Sequence, residues 1–121
     1  MNDFTRQYLV AALWSCTDES REDGGDPLDD NYGVEDIEPD TVAAAELDCD
    51  RFRKLAGDLL DEDTDPTMAA HDFWLTRNGH GAGFWDGDWP EGGERLTAIC
   101  KGFGECHLYV GDDDRIHHFD G

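Results

Sequence analysis

The chain is expected to fold as one α+β domain over residues 1–121, a small antiparallel sheet of two β-hairpins packed by about three helices. Three observations lead there. Apolar residues recur at helical spacing in three stretches, and two aromatic or aliphatic runs flank Gly- or Asp-rich turns. Hydrophobic residues make up 38% of the chain, with 4 Trp, 6 Phe and 3 Tyr, more than an acidic coil carries.

The first helix is expected from Phe4 to Trp14, with Asp3 as N-cap and Phe4, Tyr8, Ala11 and Ala12 on one stripe that Leu9 and Leu13 widen. Residues 15–37 are dense in Asp, Gly and Pro, lack periodicity, and read as a long surface loop. A second helix is expected over Asp40–Leu60, where Ala45, Cys49, Phe52, Ala56 and Leu59 keep the 3.6-residue period. Asp65-Pro66 then opens a short turn or helix through about Ala70.

From His71 the character changes. Phe73-Trp74-Leu75-Thr76 reads as a strand, Arg77-Asn78-Gly79-His80-Gly81 as a turn, and Ala82-Gly83-Phe84-Trp85 as its partner. A third long helix is expected over Pro90–Phe103, with a stripe of Leu96, Ile99, Cys100 and Phe103 and a C-cap at Gly104. A second hairpin pairs Glu105–Val110 with Arg115–Phe119 around Gly111-Asp112-Asp113-Asp114. The core is expected to hold Phe4, Tyr8, Phe52, Ala56, Leu59, Phe73, Leu75, Phe84, Leu96, Ile99, Phe103, Leu108, Val110 and Ile116.

Charge bounds the function. There are 30 Asp and Glu against 9 Lys and Arg, and residues 18–65 carry 19 of those acids with 4 bases. Such a field repels nucleic acid and anionic membrane and attracts cations or a basic protein surface. Direct nucleic-acid binding is disfavoured, since no basic stripe exists and Arg51, Arg53 and Lys54 stand among Asp48, Asp50 and Asp58. No apolar run reaches the roughly 20 residues of a membrane span, and the start has no basic leader region, so the chain reads as cytoplasmic. Asp outnumbers Glu 21 to 9, and Lys54 and Lys101 are the two lysines. Helix propensity does not explain that bias, whereas short hydrated carboxylates suit concentrated salt.

Chemistry is sparse. The cysteines Cys16, Cys49, Cys100 and Cys106 form no C-x-x-C pair and read as free thiols. Cys100, Cys106 and His107 fit no common zinc spacing. Around the 71–88 hairpin, His71, His80 and Asp86 could serve as metal ligands or an acid–base set, yet no Ser or Cys lies there as nucleophile. The competing readings are turn geometry with packed aromatic pairs, or a surface patch of Trp74, Arg77, Asn78, His80, Trp85 and Asp86. Gly79-His80-Gly81-Ala82-Gly83 lacks the Lys of a phosphate loop. Asp112-Asp113-Asp114 lacks the twelve-position ligand set of a calcium loop, and His117-His118 alternate across a strand. No catalytic residue, metal or cofactor is assigned, and the chain is not expected to be an enzyme.

The segment DFWLTRNGHGAGFWD, followed by Leu96-Thr97, Lys101-x-Phe103-Gly104-Glu105 and Leu108-Tyr109-Val110-Gly111-Asp112, resembles a group of small, mostly uncharacterised acidic proteins of bacterial phages and mobile elements. It covers about residues 65–116, less than half the chain. The resemblance implies an anti-defence or regulatory binder and carries no residue-level chemistry. The expected function is therefore an acidic protein-binding module, a DNA mimic in its sharpest form, directed at a basic nucleic-acid-handling or defence protein of the host. Its contacts are expected at Asp48, Asp50, Asp58, Asp61, Glu62 and Asp63. The alternatives are a salt-adapted accessory protein with no charge-specific target, and a metal-dependent enzyme using the 71–88 hairpin.

Overall fold

The computed structural model describes residues 2–18, 26–57, 66–78 and 93–120. Within them the chain is α+β, with four helices and a small two-stranded antiparallel sheet. The elements are α1 (Asp3–Ser15), β1 (Thr17–Asp18), β2 (Asp26–Pro27), two 3-10 turns (Leu28–Asp30 and Val34–Asp36), α2 (Pro39–Ala56), α3 (Pro66–Arg77), α4 (Gly93–Lys101), β3 (Cys106–Val110) and β4 (Ile116–Asp120). β1 and β2 form only a two-residue antiparallel pairing.

Helix α1 packs against α2, α3, both 3-10 turns and β3. Its N-cap is Asn2 rather than Asp3: the Asn2 side chain accepts from the Thr5 amide at 2.8 Å, and Asp3 lies in the first turn. Its apolar stripe is buried as expected, with Phe4, Tyr8, Leu9, Ala12 and Leu13 each at most 4% exposed.

Between α1, α2 and α3 the aromatic side chains meet. Phe52 and Phe73 stack with centroids 4.2 Å apart and planes 8° apart. Tyr8 lies 5.1 Å from Phe73 and 5.3 Å from Trp74, and Phe103 meets Phe73 edge-on at 5.0 Å. Offset and edge-on pairs at such distances add to the burial of the rings themselves.

The first expected hairpin is overturned at its first strand. Phe73-Trp74-Leu75-Thr76 continues α3 without a break from Pro66, and all four side chains are buried. A short run buried on every side has neither the alternation of a half-buried strand nor the polar face of a surface helix, and its composition is equally compatible with both. The helix ends at Asn78, whose side chain donates to the Trp74 carbonyl at 3.0 Å and accepts from the Cys106 amide at 2.8 Å. The expected partner strand, Ala82–Trp85, and the core positions Leu59 and Phe84 lie outside the described residues.

The second hairpin stands: β3 and β4 pair antiparallel, Val110 opposite Ile116 and Cys106 opposite Asp120. In its turn Asp114 adopts φ 61°, and its amide donates to the Gly111 carbonyl at 3.0 Å. Helix α4 ends at Lys101, two residues before the expected Phe103, while its expected start at Pro90 lies outside the described residues; the chain leaves it through Gly104 at φ 76°, where a side chain would be strained.

Residues 26–37, within the expected loop, carry buried anchors that their composition does not indicate. Leu28 is fully buried and Val34 and Ile37 nearly so. Ile37 bridges Ile116 of β4 in parallel, and the Glu38 amide donates to the Ile116 carbonyl at 2.9 Å. Three isolated apolar anchors among acids follow no period, so no pattern marks them. Among the described residues, no helix is long and apolar enough to cross a membrane.

Candidate functional site

Helix α2 sorts its charges along its axis. Glu35 and Asp36 precede it, Glu38 caps it and Asp40 lies in its first turn, while Arg53 and Lys54 occupy its last turn. This order matches the helix dipole, positive at the N-terminus and negative at the C-terminus. Glu38 Oε1 accepts from the Thr41 amide at 2.8 Å and from the Thr41 hydroxyl at 3.0 Å. Desolvation works upward on the Glu38 carboxyl, but the Thr41 hydroxyl and the Asp40 and Thr41 amides together outweigh it and hold it below its usual value. Because the single Thr41 hydroxyl proton goes to Glu38, the 2.8 Å contact with His118 Nδ1 has the imidazole as donor.

Two acid-rich segments far apart in sequence meet here. The Tyr32 hydroxyl donates to Asp114 Oδ1 at 2.9 Å, across 82 residues. One segment carries Asp29, Asp30, Glu35, Asp36, Glu38 and Asp40, the other Asp112, Asp113 and Asp114, and residues 27–40 contain no Lys or Arg. Asp29, Asp30, Glu35, Asp40 and the three turn aspartates are exposed.

His117 anchors the turn from β4, its Nε2 donating to Asp113 Oδ1 at 2.9 Å while its ring stacks on Tyr109 at 5.6 Å. That bond, with the Arg115 amide at 3.1 Å, holds the Asp113 carboxyl below its usual 3.8. A carboxylate depressed by folding stabilises fully above its ordinary pKa, and the contribution is lost as pH falls through the depressed value. Asp113 is therefore expected to titrate below 3.8 by carboxyl-detected NMR and to move upward in His117→Ala. An unchanged midpoint in the variant would rule out His117 as the cause.

On the other side of α2 lies Arg77, whose side chain is 2% exposed. Its Nη1 donates to the Tyr8 hydroxyl at 2.8 Å and to Asp48 Oδ2 at 2.9 Å. Its Nε donates to the Gly104 carbonyl at 2.9 Å and its Nη2 to the Phe103 carbonyl at 3.2 Å. Burial opposes its charge, but the Asp48 carboxylate 2.9 Å away favours it, so its pKa is raised and the guanidinium stays protonated. The Tyr8 hydroxyl is pushed well above its usual value, chiefly by burial, and remains neutral. Burial also pushes the Cys49 and Cys100 thiols up to about 12, which keeps them as unreactive thiols.

These positions revise the expected site. Trp74 and Arg77 are not surface residues: they are 2% and 4% exposed, and the Trp74 indole N–H donates to Ser15 Oγ at 2.6 Å. Asn78 is a half-buried helix cap, while His80, Trp85 and Asp86 lie outside the described residues. Asp48 is committed to Arg77. Asp50 is exposed but shares a shallow surface with Arg53 and Lys54, and Asp58, Asp61, Glu62 and Asp63 lie outside the described residues. Among the described residues, the acids of 29–40 have no Lys or Arg between them and are tied to the 112–114 turn, which Arg115 flanks; local spacing could not reveal this junction because Tyr32 and Asp114 are joined only by the fold.

His71 Nδ1 lies 3.5 Å from Asp72 Oδ1, and its ring is 5.8 Å from Trp14. Among the described residues, no three His, Cys, Asp or Glu side chains converge as a metal site. No protein-family model matches the chain, and no curated protein or solved structure matches it either.

Proposed function

We propose that the protein works by binding rather than by turnover, as an acidic module that docks on a basic surface of a nucleic-acid-handling protein and competes there with DNA. The observation that supports this reading is the Tyr32–Asp114 bond, which sets two acid runs side by side. Carboxylates held by a fold cost less to order on binding than carboxylates on a coil, and a concentrated negative surface steers encounter with Arg- and Lys-rich partners.

The Asp-over-Glu bias, 21 to 9, favours a second reading, adaptation to salt without a target. One experiment separates them. Asp29→Asn, Asp30→Asn, Glu35→Gln and Asp112→Asn are combined, leaving the bonded Asp36, Glu38, Asp113 and Asp114 in place. Wild type immobilised in moderate salt should capture a basic DNA-binding protein that duplex DNA displaces, and the fourfold variant should bind it at least about tenfold more weakly, a loss of about 1.4 kcal/mol. Capture of nothing by wild type, or equal capture by the variant, removes the DNA-competition reading and leaves salt adaptation.

A further inference from the structure

Between α2 and the end of α4 a cleft of about 310 Å3 opens, within the size range of small-ligand sites. We infer that this cleft binds a small organic carboxylate with a flat apolar body. Arg77 and Asp48 form one side, Arg51 stands at the rim, and Leu55, Ile99 and Phe103 supply the apolar walls. Its ionic lining is two guanidinium groups against one carboxylate, a local excess of positive charge in a chain whose formal net charge is −21.

A guanidinium group has only donors, so a ligand that bonds to one must offer an acceptor. An arginine has five N–H donors. Four of those on Arg77 reach Tyr8, Asp48, Phe103 and Gly104, and no described residue accepts the fifth, on Nη2. The Asp48 carboxylate already serves Arg77, so the positive charge left over in the cleft is that of Arg51. The Arg51 guanidinium lies 5.6 Å from the centroid of the Phe103 ring, as the Arg77 guanidinium does. An aromatic ring with both guanidinium groups beside it favours a ligand that pairs a flat body with an oxygen acceptor.

Phosphate fits less well. A phosphate cradle uses free backbone N–H groups. Here the Gly102 amide donates to the Ala98 and Ile99 carbonyls and the Phe103 amide to the Cys100 carbonyl. A cationic ligand would face Arg51 and Arg77 together. The site is also separate from the acidic surface: Asp40 and Arg51 are eleven residues apart on α2, about 16 Å at 1.5 Å per residue.

The test uses phenylacetate, its neutral isostere phenylacetamide, and amide chemical shifts of the full chain. Phenylacetate should shift Arg51, Ile99, Gly102 and Phe103 saturably, with a dissociation constant of the order of 1 mM, as suits a ligand of about ten heavy atoms. Phenylacetamide should bind at least about fivefold more weakly, and Arg51→Met, a change on an exposed side chain, should weaken phenylacetate by a similar factor, the scale of losing one charge-assisted contact. The inference fails if about 20 mM phenylacetate, far above that constant, produces no saturable shift. It also fails if amide and acid bind alike, if Arg51→Met binds as wild type, or if the shifted residues lie elsewhere.

Discussion

Replacing Arg77 by Met should cost about 2–4 kcal/mol of folding stability, somewhat below the range for a fully buried ion pair because the Asp48 side chain is 29% exposed. The loss has several parts. Asp48 keeps a charge without its counter-ion, the Tyr8 hydroxyl loses its donor, and the carbonyls of Phe103 and Gly104 are left unsatisfied at the exit from α4. An unmet buried polar group costs about 1–3 kcal/mol on its own, which is why Met, similar in reach but without donors, is not a mild change here. Urea unfolding followed by circular dichroism measures it. If Arg77→Met lost less than about 1 kcal/mol, the Arg77 cluster would be a surface ornament rather than the tie between α1, α2, α3 and the α4–β3 link.

Phe52→Ala should cost about 3–5 kcal/mol, the usual range for emptying an aromatic site in a core. Phe52 is fully buried, stacked on Phe73 at 4.2 Å and facing Phe4 at 6.2 Å. The rings around it are locked by their own neighbours, so little collapse into the vacancy is available. Leu55→Ala, on the same helix but 57% exposed, is the matched control and should change stability by less than about 0.5 kcal/mol. Equal losses at the two positions would mean that the inward face of α2 is misassigned.

How legible this molecule is from its sequence depends on the range of the interactions. Helices α1 and α2 and the β3–β4 hairpin are readable because their signals are local: a 3.6-residue stripe through Phe4 and Tyr8 or Cys49 and Phe52, and an Asp-rich turn between alternating strands. Helix α3 is not, because Phe73 to Thr76 are buried all round and lose the polar face that identifies a surface helix. Arg77 is misread for a different reason. A charged residue is placed on the surface by default, and what buries it is a set of acceptors 26 to 69 residues away. The same limit applies to the acidic surface, whose residues are obvious in composition while their convergence depends on the Tyr32–Asp114 contact.

That junction also has a kinetic and entropic side. The contacts of β4 with the start of α2, such as Thr41 with His118, close a loop of 77 residues, whereas β3 and β4 are joined by a tight turn. Closure entropy rises by about 0.6 kcal/mol per doubling of loop length, so about four doublings separate the two and the long closure costs roughly 2–2.5 kcal/mol more. Contacts of such high sequence separation carry their closure entropy before they return any stabilisation. The carboxylates of residues 29–40 and 112–114 thus acquire their mutual spacing only when the whole chain has assembled, and a partner that reads this spacing would bind the finished fold and not its parts.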